Sequence, residues 1–198
     1  MQQFQTRMLE FFGGLWPAEH KTLVFGEGQQ NKPPIMLIGE APGEQETLQG
    51  RPFVGKAGKN LDGFLEAVGL ERPEIYISNV VKIRPTKVSP KGSVSNRPPN
   101  REELLLFTPW LYEEILMVQP RCIVTLGNVA LKAMLGKDAV IGACHGEMQS
   151  GTVRHNGREQ GFDVFPLYHP ASIIYNRALT EVYAQDLQKL RLTLERVI

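Results

Sequence analysis

Apolar residues along the chain follow two spacings. Residues 34–39 (PIMLIG) form a short apolar run closed by glycine, which predicts a buried strand. In residues 57–68, Leu61, Phe64, Leu65 and Val68 recur at three- and four-residue intervals, predicting an amphipathic helix that Gly69 ends. Residues 75–81 (IYISNVV) and 122–126 (CIVTL) predict two further strands. Gly127 and the candidate N-cap Asn128 open a helix that runs to about Gly136. Asn156-Gly157 lies between strand-like flanks in residues 148–166, the signature of a hairpin whose second strand covers 162–168. The last helix carries a core-facing stripe of Tyr183, Leu187, Leu190, Leu194 and Val197. Residues 101–118 also have helical pattern, which Pro109 is expected to break or kink. Residues 82–100 hold four prolines, a glycine and several serines without apolar periodicity, and predict a long exposed loop.

Strands alternating with helices define an α/β class. The expectation is a single domain over residues 1–198, with a central, mostly parallel four-stranded sheet flanked by helices. Ligands of such folds bind at the carboxyl ends of strands. The loops after Ile38, Val81, Leu126 and Tyr168 are therefore where chemistry is expected.

Composition narrows this picture. A chain of 198 residues, 42% hydrophobic and 22% charged, can bury a core without disulfide or metal support. Cys122 and Cys144 are too few for a disulfide scaffold, and cannot alone ligate an ordinary iron-sulfur cluster. Cys122, inside an apolar strand, is expected in the core. No run reaches the ~18 apolar residues of a membrane span, and the start lacks the order of a secretory signal, so no membrane partner and a cytoplasmic location are expected. The net charge of +1 hides an uneven distribution. Residues 51–101 carry ten basic and four acidic side chains, and within 82–101 Lys82, Arg84, Lys87, Lys91, Arg97 and Arg101 occur with no acid.

Two motifs fail on their chemistry. Residues 50–57 (GRPFVGKA) fit a phosphate-loop pattern until Ala57, where Ser or Thr would bind magnesium, and Pro52 lacks a cradle N–H. Cys144, His145, His155 and His169 have no metal-site spacing, so no metal ligand is assigned. A third set follows or closes the predicted strands: Gly39-Glu40-Ala41-Pro42-Gly43, Gly50-Arg51-Pro52-Phe53-Val54-Gly55, Ser78-Asn79 and His169-Pro170-Ala171-Ser172.

Together with Val24-Phe25-Gly26-Glu27-Gly28, Arg84-Pro85 and Thr125-Leu126-Gly127, this ordered series over residues 24–172 resembles the uracil-DNA glycosylase superfamily, most of all its family 4. The resemblance implies a monofunctional glycosylase that removes uracil from deaminated DNA by hydrolysis; a monomer without a cofactor is expected. Hypoxanthine or xanthine as the target base, or a catalytically silent DNA-binding relative, are the alternatives. Gly39, Phe53 and Asn79 match the base-binding positions, and His169 matches the histidine that donates to the departing base. Ala41 stands where another family of the superfamily has a water-activating aspartate, which leaves Glu40, and after it Glu46, for that role. Gly43 stands where that family has a tyrosine that excludes the methyl of thymine. Lys82, Arg84, Lys87, Lys91 and Arg97 are expected on DNA phosphates, and Ile174, beside Ile173 and Tyr175, as an apolar wedge. Family 4 ordinarily carries an iron-sulfur cluster, whose cysteines would fall near Phe11, Gly14, Ile83 and Leu106 or Phe107. None is cysteine, so packing is expected in its place.

Overall fold

The computed structural model describes residues 1–16 and 21–197, apart from the side chains of residues 174, 175, 196 and 197. Four parallel strands form its centre: β2 (Ile35–Gly39), β3 (Tyr76–Asn79), β6 (Cys122–Leu126) and β8 (Arg158–Leu167), in the order β3-β2-β6-β8. They coincide with the four strands that the apolar runs predict. The sheet nevertheless has six strands, because two antiparallel edges extend it. The two-residue β1 (Glu27–Gly28) pairs with β3, and β7 (Gln149–His155) pairs with β8. The β7–β8 turn uses Asn156 and Gly157, both at positive φ, as an Asn-Gly hairpin requires.

Alternation along β2 divides the core into two layers. Met36 and Ile38 face α1 (Gln2–Leu15), α4 (Arg101–Val118) and α5 (Asn128–Leu135), whereas Ile35 and Leu37 face α3 (Lys56–Val68) and α8 (Leu179–Val197). The α8 stripe is buried at Tyr183, Leu187, Leu190 and Leu194, and the Val197 side chain lies outside the described residues. Short helices α2 (Glu44–Gln49), α6 (Ile141–Cys144) and α7 (Pro170–Tyr175) sit in the connections.

Three local expectations change. Residues 82–100 are not irregular throughout, since β4 (Thr86–Val88) and β5 (Val94–Asn96) form an antiparallel hairpin. Pro109 does not end α4. It is exposed there, and the carbonyl it deprives of a partner belongs to exposed Leu105, where water can serve. Asn128 does not cap its own helix; its Oδ1 accepts from Ile141 N at 2.9 Å and so anchors α6 instead.

Candidate active site

The order of the parallel strands reverses beside β2, since β3 lies on one side and β6 on the other. Open α/β sheets bind ligands at such a point. A cavity of about 530 Å³ opens there, with Phe53, Asn79 and His169 on its wall.

Asn79 closes β3 and is almost fully buried. Gly39, its parallel partner at the end of β2, explains how the amide fits. A Cβ on Gly39 would overlap Asn79 Oδ1 and the Phe53 ring, so only glycine lets both side chains meet here. Among the described residues the Asn79 amide has no hydrogen-bond partner, leaving its donor and acceptor for a ligand.

Phe53 stands at φ 53°, a left-handed conformation that costs a non-glycine residue about 1–3 kcal/mol. Three contacts hold it. Arg72 Nη2 donates to Phe53 O at 2.7 Å, and Arg72 also pairs with Asp62. Gly58 lets α3 press on the same carbonyl, which any Cβ would overlap. Glu46 accepts from the next two amides, Val54 N at 3.0 Å and Gly55 N at 2.7 Å, through Oε1, and from Gly43 N at 3.1 Å through Oε2. The carboxylate thereby ties the GEAPGEQE loop to the GRPFVGKAG loop while lining the cavity.

His169 is the N-cap of α7: its Nδ1 accepts from Ala171 N at 3.1 Å. The neutral ring then carries its proton on Nε2, which becomes a donor. Burial pushes the imidazole pKa down to about 4, so the neutral form dominates near pH 7. Its ring stacks on Phe53 with centroids 6.0 Å apart. Gly127 brings β6 close beneath it, since a Cβ there would sit 3.2 Å from the His169 Cβ.

The two carboxylates expected near water are placed differently. Glu46 and Ala41 line the cavity, whereas Glu40 is not among its lining residues, although burial raises its carboxyl above the ordinary range. Asn96, which sequence reasoning missed, also reaches the wall from β5. Arg84 holds its Oδ1 at 2.7 Å, and its Nδ2 lies 3.4 Å from where a Cβ on Gly43 would stand. No sequence signal marked it, because the hairpin that delivers it was itself hidden in a proline-rich stretch.

The basic segment is partly committed to acids of the protein itself. Lys82, expected on DNA, is fully buried and pairs with Glu114 at 2.6 Å. It also donates to Ser78 Oγ at 2.5 Å and to Asn79 O at 2.7 Å. In this position it cannot meet a phosphate; it clamps the strand that presents Asn79. Arg84 pairs with Glu44, and Arg97 forms two hydrogen bonds with Glu103. Lys87 and Lys91 are exposed. The side chains of Ile174 and Tyr175 lie outside the described residues, and Ile173 is partly buried against the α3–α8 layer.

No thiolate stands at the positions where a family 4 iron-sulfur cluster would be ligated, and the space is packed. Phe12 stacks on Phe107 at 4.5 Å and on Trp16 at 5.1 Å, Phe11 lies against Trp110, and Ile83 is buried. This donor set does not fit a cluster. Cys122 is buried in β6, where desolvation pushes its thiol up to about 12. No group of three or more His, Cys, Asp or Glu among the described residues could hold a metal ion, and no helix among them is long and apolar enough to cross a membrane.

Fold and cavity together define an α/β protein with an aromatic- and amide-lined cavity at the carboxyl end of its sheet. The family model of the uracil DNA glycosylase superfamily matches residues 25–191, and the chain belongs to that superfamily. It is 39% identical over 174 residues to a type-4 uracil-DNA glycosylase of Sulfurisphaera tokodaii, covering 84% of this chain and 72% of that protein. A type-4 uracil-DNA glycosylase of Thermotoga maritima is 35% identical over 172 residues, covering 85% and 81%. The crystal structure of wild-type SMUG2 from Pedobacter heparinus superposes with a TM-score of 0.56 at 15% identity, covering 84% of this chain and 76% of that one, a likeness of fold.

Proposed function

We propose that the protein hydrolyses the N-glycosidic bond of deoxyuridine in DNA, releasing uracil and leaving an abasic site. The observation that carries this reading is the meeting of three groups on one cavity wall: the uncommitted Asn79 amide, the Phe53 ring and a neutral His169 with a free Nε2–H. A target base must leave the helical stack to reach such a cavity. Phe53 offers it a face, and stacking of this kind is worth about 1–3 kcal/mol. Uracil shows an accepting carbonyl beside a donating ring N–H, which one orientation of the Asn79 amide satisfies; cytosine shows the reverse.

Bond cleavage moves the electron pair of the C1′–N1 bond onto the base, and water oxygen then bonds to C1′ while the proton it gives up neutralises the departed base. His169 donates from Nε2 to the carbonyl oxygen on which the base gathers charge. One such donor is worth about 3 kcal/mol, or roughly a hundredfold in rate. The sugar becomes positive, and Glu46, which lines the cavity with Glu44, and Glu40, next to Gly39 in the chain, are the carboxylates proposed to answer that charge and the attacking water. Of the basic residues expected on the DNA backbone, Lys87 and Lys91 are the exposed ones left for it, since Arg84 and Arg97 are held by Glu44 and Glu103 and Lys82 is withdrawn by its burial.

The test is release of uracil from an oligonucleotide with one deoxyuridine, followed by alkaline strand cleavage. Wild-type protein should nick it, His169→Ala should be slower by about a hundredfold or more, and Asn79→Ala should lose both rate and preference for uracil over cytosine. Parallel oligonucleotides with hypoxanthine or xanthine define the range. Failure to release any of these bases at any salt concentration overturns the reading.

A further inference from the structure

The β4–β5 hairpin presents a face that no other part of the described protein covers. Its register pairs Thr86 with Asn96, Lys87 with Ser95 and Val88 with Val94. By strand alternation Thr86, Val88, Val94 and Asn96 share one face, and Lys87 and Ser95 share the other. Asn96 lies on the cavity wall, so the Val88–Val94 pair extends that same face outward from the site. The two valines are 68% and 55% exposed and directly opposed across the hairpin, an apolar pair open to water beside the cavity.

The hairpin is rigid at both ends. At its root Arg97 donates to Thr86 O at 3.0 Å, and Arg84 bridges Asn96 to Glu44 at the start of α2. At its tip Ser89 N donates to Ser93 O at 2.9 Å, the two hydroxyls meet at 2.7 Å, and Gly92 at φ 80° closes the turn. Lys91 stands in that turn and Lys87 on the reverse face, and the segment from residue 82 to 101 contains no acid.

We infer that this hairpin is a DNA-opening wedge: Val88 and Val94 lie against the bases next to the extruded nucleotide, and Lys91 lies near the flanking phosphates. The inference rests on reading the cavity as the site of the extruded base. Three features commit the occupant to nucleic acid: continuity with the base cavity, one-signed charge, and an aliphatic pair of the kind that unstacks base steps.

The experiment compares wild type with the double variant Val88→Ser, Val94→Ser, whose fold is checked by its urea midpoint, since both positions are solvent-exposed. Two readouts are used. One is uracil release from duplex and from single-stranded oligonucleotide of the same sequence. The duplex-to-single-strand rate ratio should fall about tenfold, because only the duplex needs its stack opened. The other is fluorescence of a 2-aminopurine placed beside a tetrahydrofuran abasic site in a duplex, which reads unstacking without any bond cleavage. Wild-type protein should raise it and the variant should not. An unchanged ratio with unchanged fluorescence overturns the wedge, and so does a wild-type protein that gives no rise. A wild type that releases no uracil, yet raises fluorescence in a valine-dependent way, instead overturns the catalytic reading and leaves the wedge standing.

Discussion

Lys82 and Glu114 show how a single side chain can serve the site from behind. Tyr76 and Ser78 donate to Glu114 at 2.9 Å each, and Lys82 joins that carboxylate to the carbonyl of Asn79, so the inward face of β3 is clamped while its outward face offers the amide. Removing one member of a buried pair costs about 3–5 kcal/mol, whereas replacing both with apolar residues is often neutral. Lys82→Met alone should therefore lower the urea midpoint sharply. Lys82→Met with Glu114→Leu removes the unpaired charge but leaves the Tyr76 and Ser78 hydroxyls without their acceptor, so it should recover only part of the midpoint. It should also release uracil about tenfold more slowly, since Asn79 has lost its clamp. Equal stability of the single variant and wild type would refute this account. Nothing in the residues around Lys82 betrayed this role, because its partner lies 32 positions away on α4. The charge was legible, its direction was not.

His169 makes a second claim at the same scale. Its folded pKa of about 4 lies below the ordinary 6.5, so between these values the unfolded chain binds a proton that the folded one refuses. Stability contributed by the neutral ring is thus complete above pH 6.5 and is lost as pH falls towards 4, by about 3 kcal/mol in all. Glu40, shifted upward by burial, acts in the opposite sense, weakening the fold as pH rises past the ordinary carboxylate range. The His169 ring resonances should titrate near pH 4 by NMR. A midpoint near 6.5 would show the ring solvated, and the Nδ1 acceptor bond to Ala171 absent.

At the scale of elements, the site is set by where strands end. The apolar runs of β2, β3, β6 and β8 were readable because each is buried on both faces, and the residues just beyond them supply Asn79, His169 and the two glycine-rich loops. The edges were harder. β1 has two residues, and β7 (QSGTVRH) is mostly polar with alternating exposure, so neither offers an apolar run. The aromatic plug between α1 and α4 also belongs to this scale. Phe12, Trp16, Phe107 and Trp110 join the N-terminal helix to α4, the helix that carries Glu114. Phe107→Ala empties a fully buried ring site and should cost about 3–5 kcal/mol. The melting temperature should fall by roughly 10 °C in a domain of this size. A shift within about 2 °C would mean that the plug does not hold α1 to the domain.

For the whole molecule, the central excess of positive charge overstates what DNA can feel. Of the six cations between residues 82 and 101, Lys82 is internal, Arg84 faces Glu44 and Arg97 faces Glu103. Lys87, Lys91 and Arg101 are exposed. Affinity for B-DNA falls with salt at a slope of about −0.9 per neutralised phosphate, so this segment should contribute about −3 to the slope of log K against log salt, where six free cations would contribute about −5. Binding to a duplex with a tetrahydrofuran site, titrated between low and moderate salt, measures it. Lys87→Ala, Lys91→Ala and Arg101→Ala should each flatten the slope by close to one unit and weaken all sequences alike, as phosphate contacts do. Lys82→Met with Glu114→Leu should leave the slope where it was, because neither charge reaches solvent in the folded protein. If that pair flattens the slope as much as Lys91→Ala does, Lys82 turns outward when DNA binds, and the clamp on Asn79 opens with it.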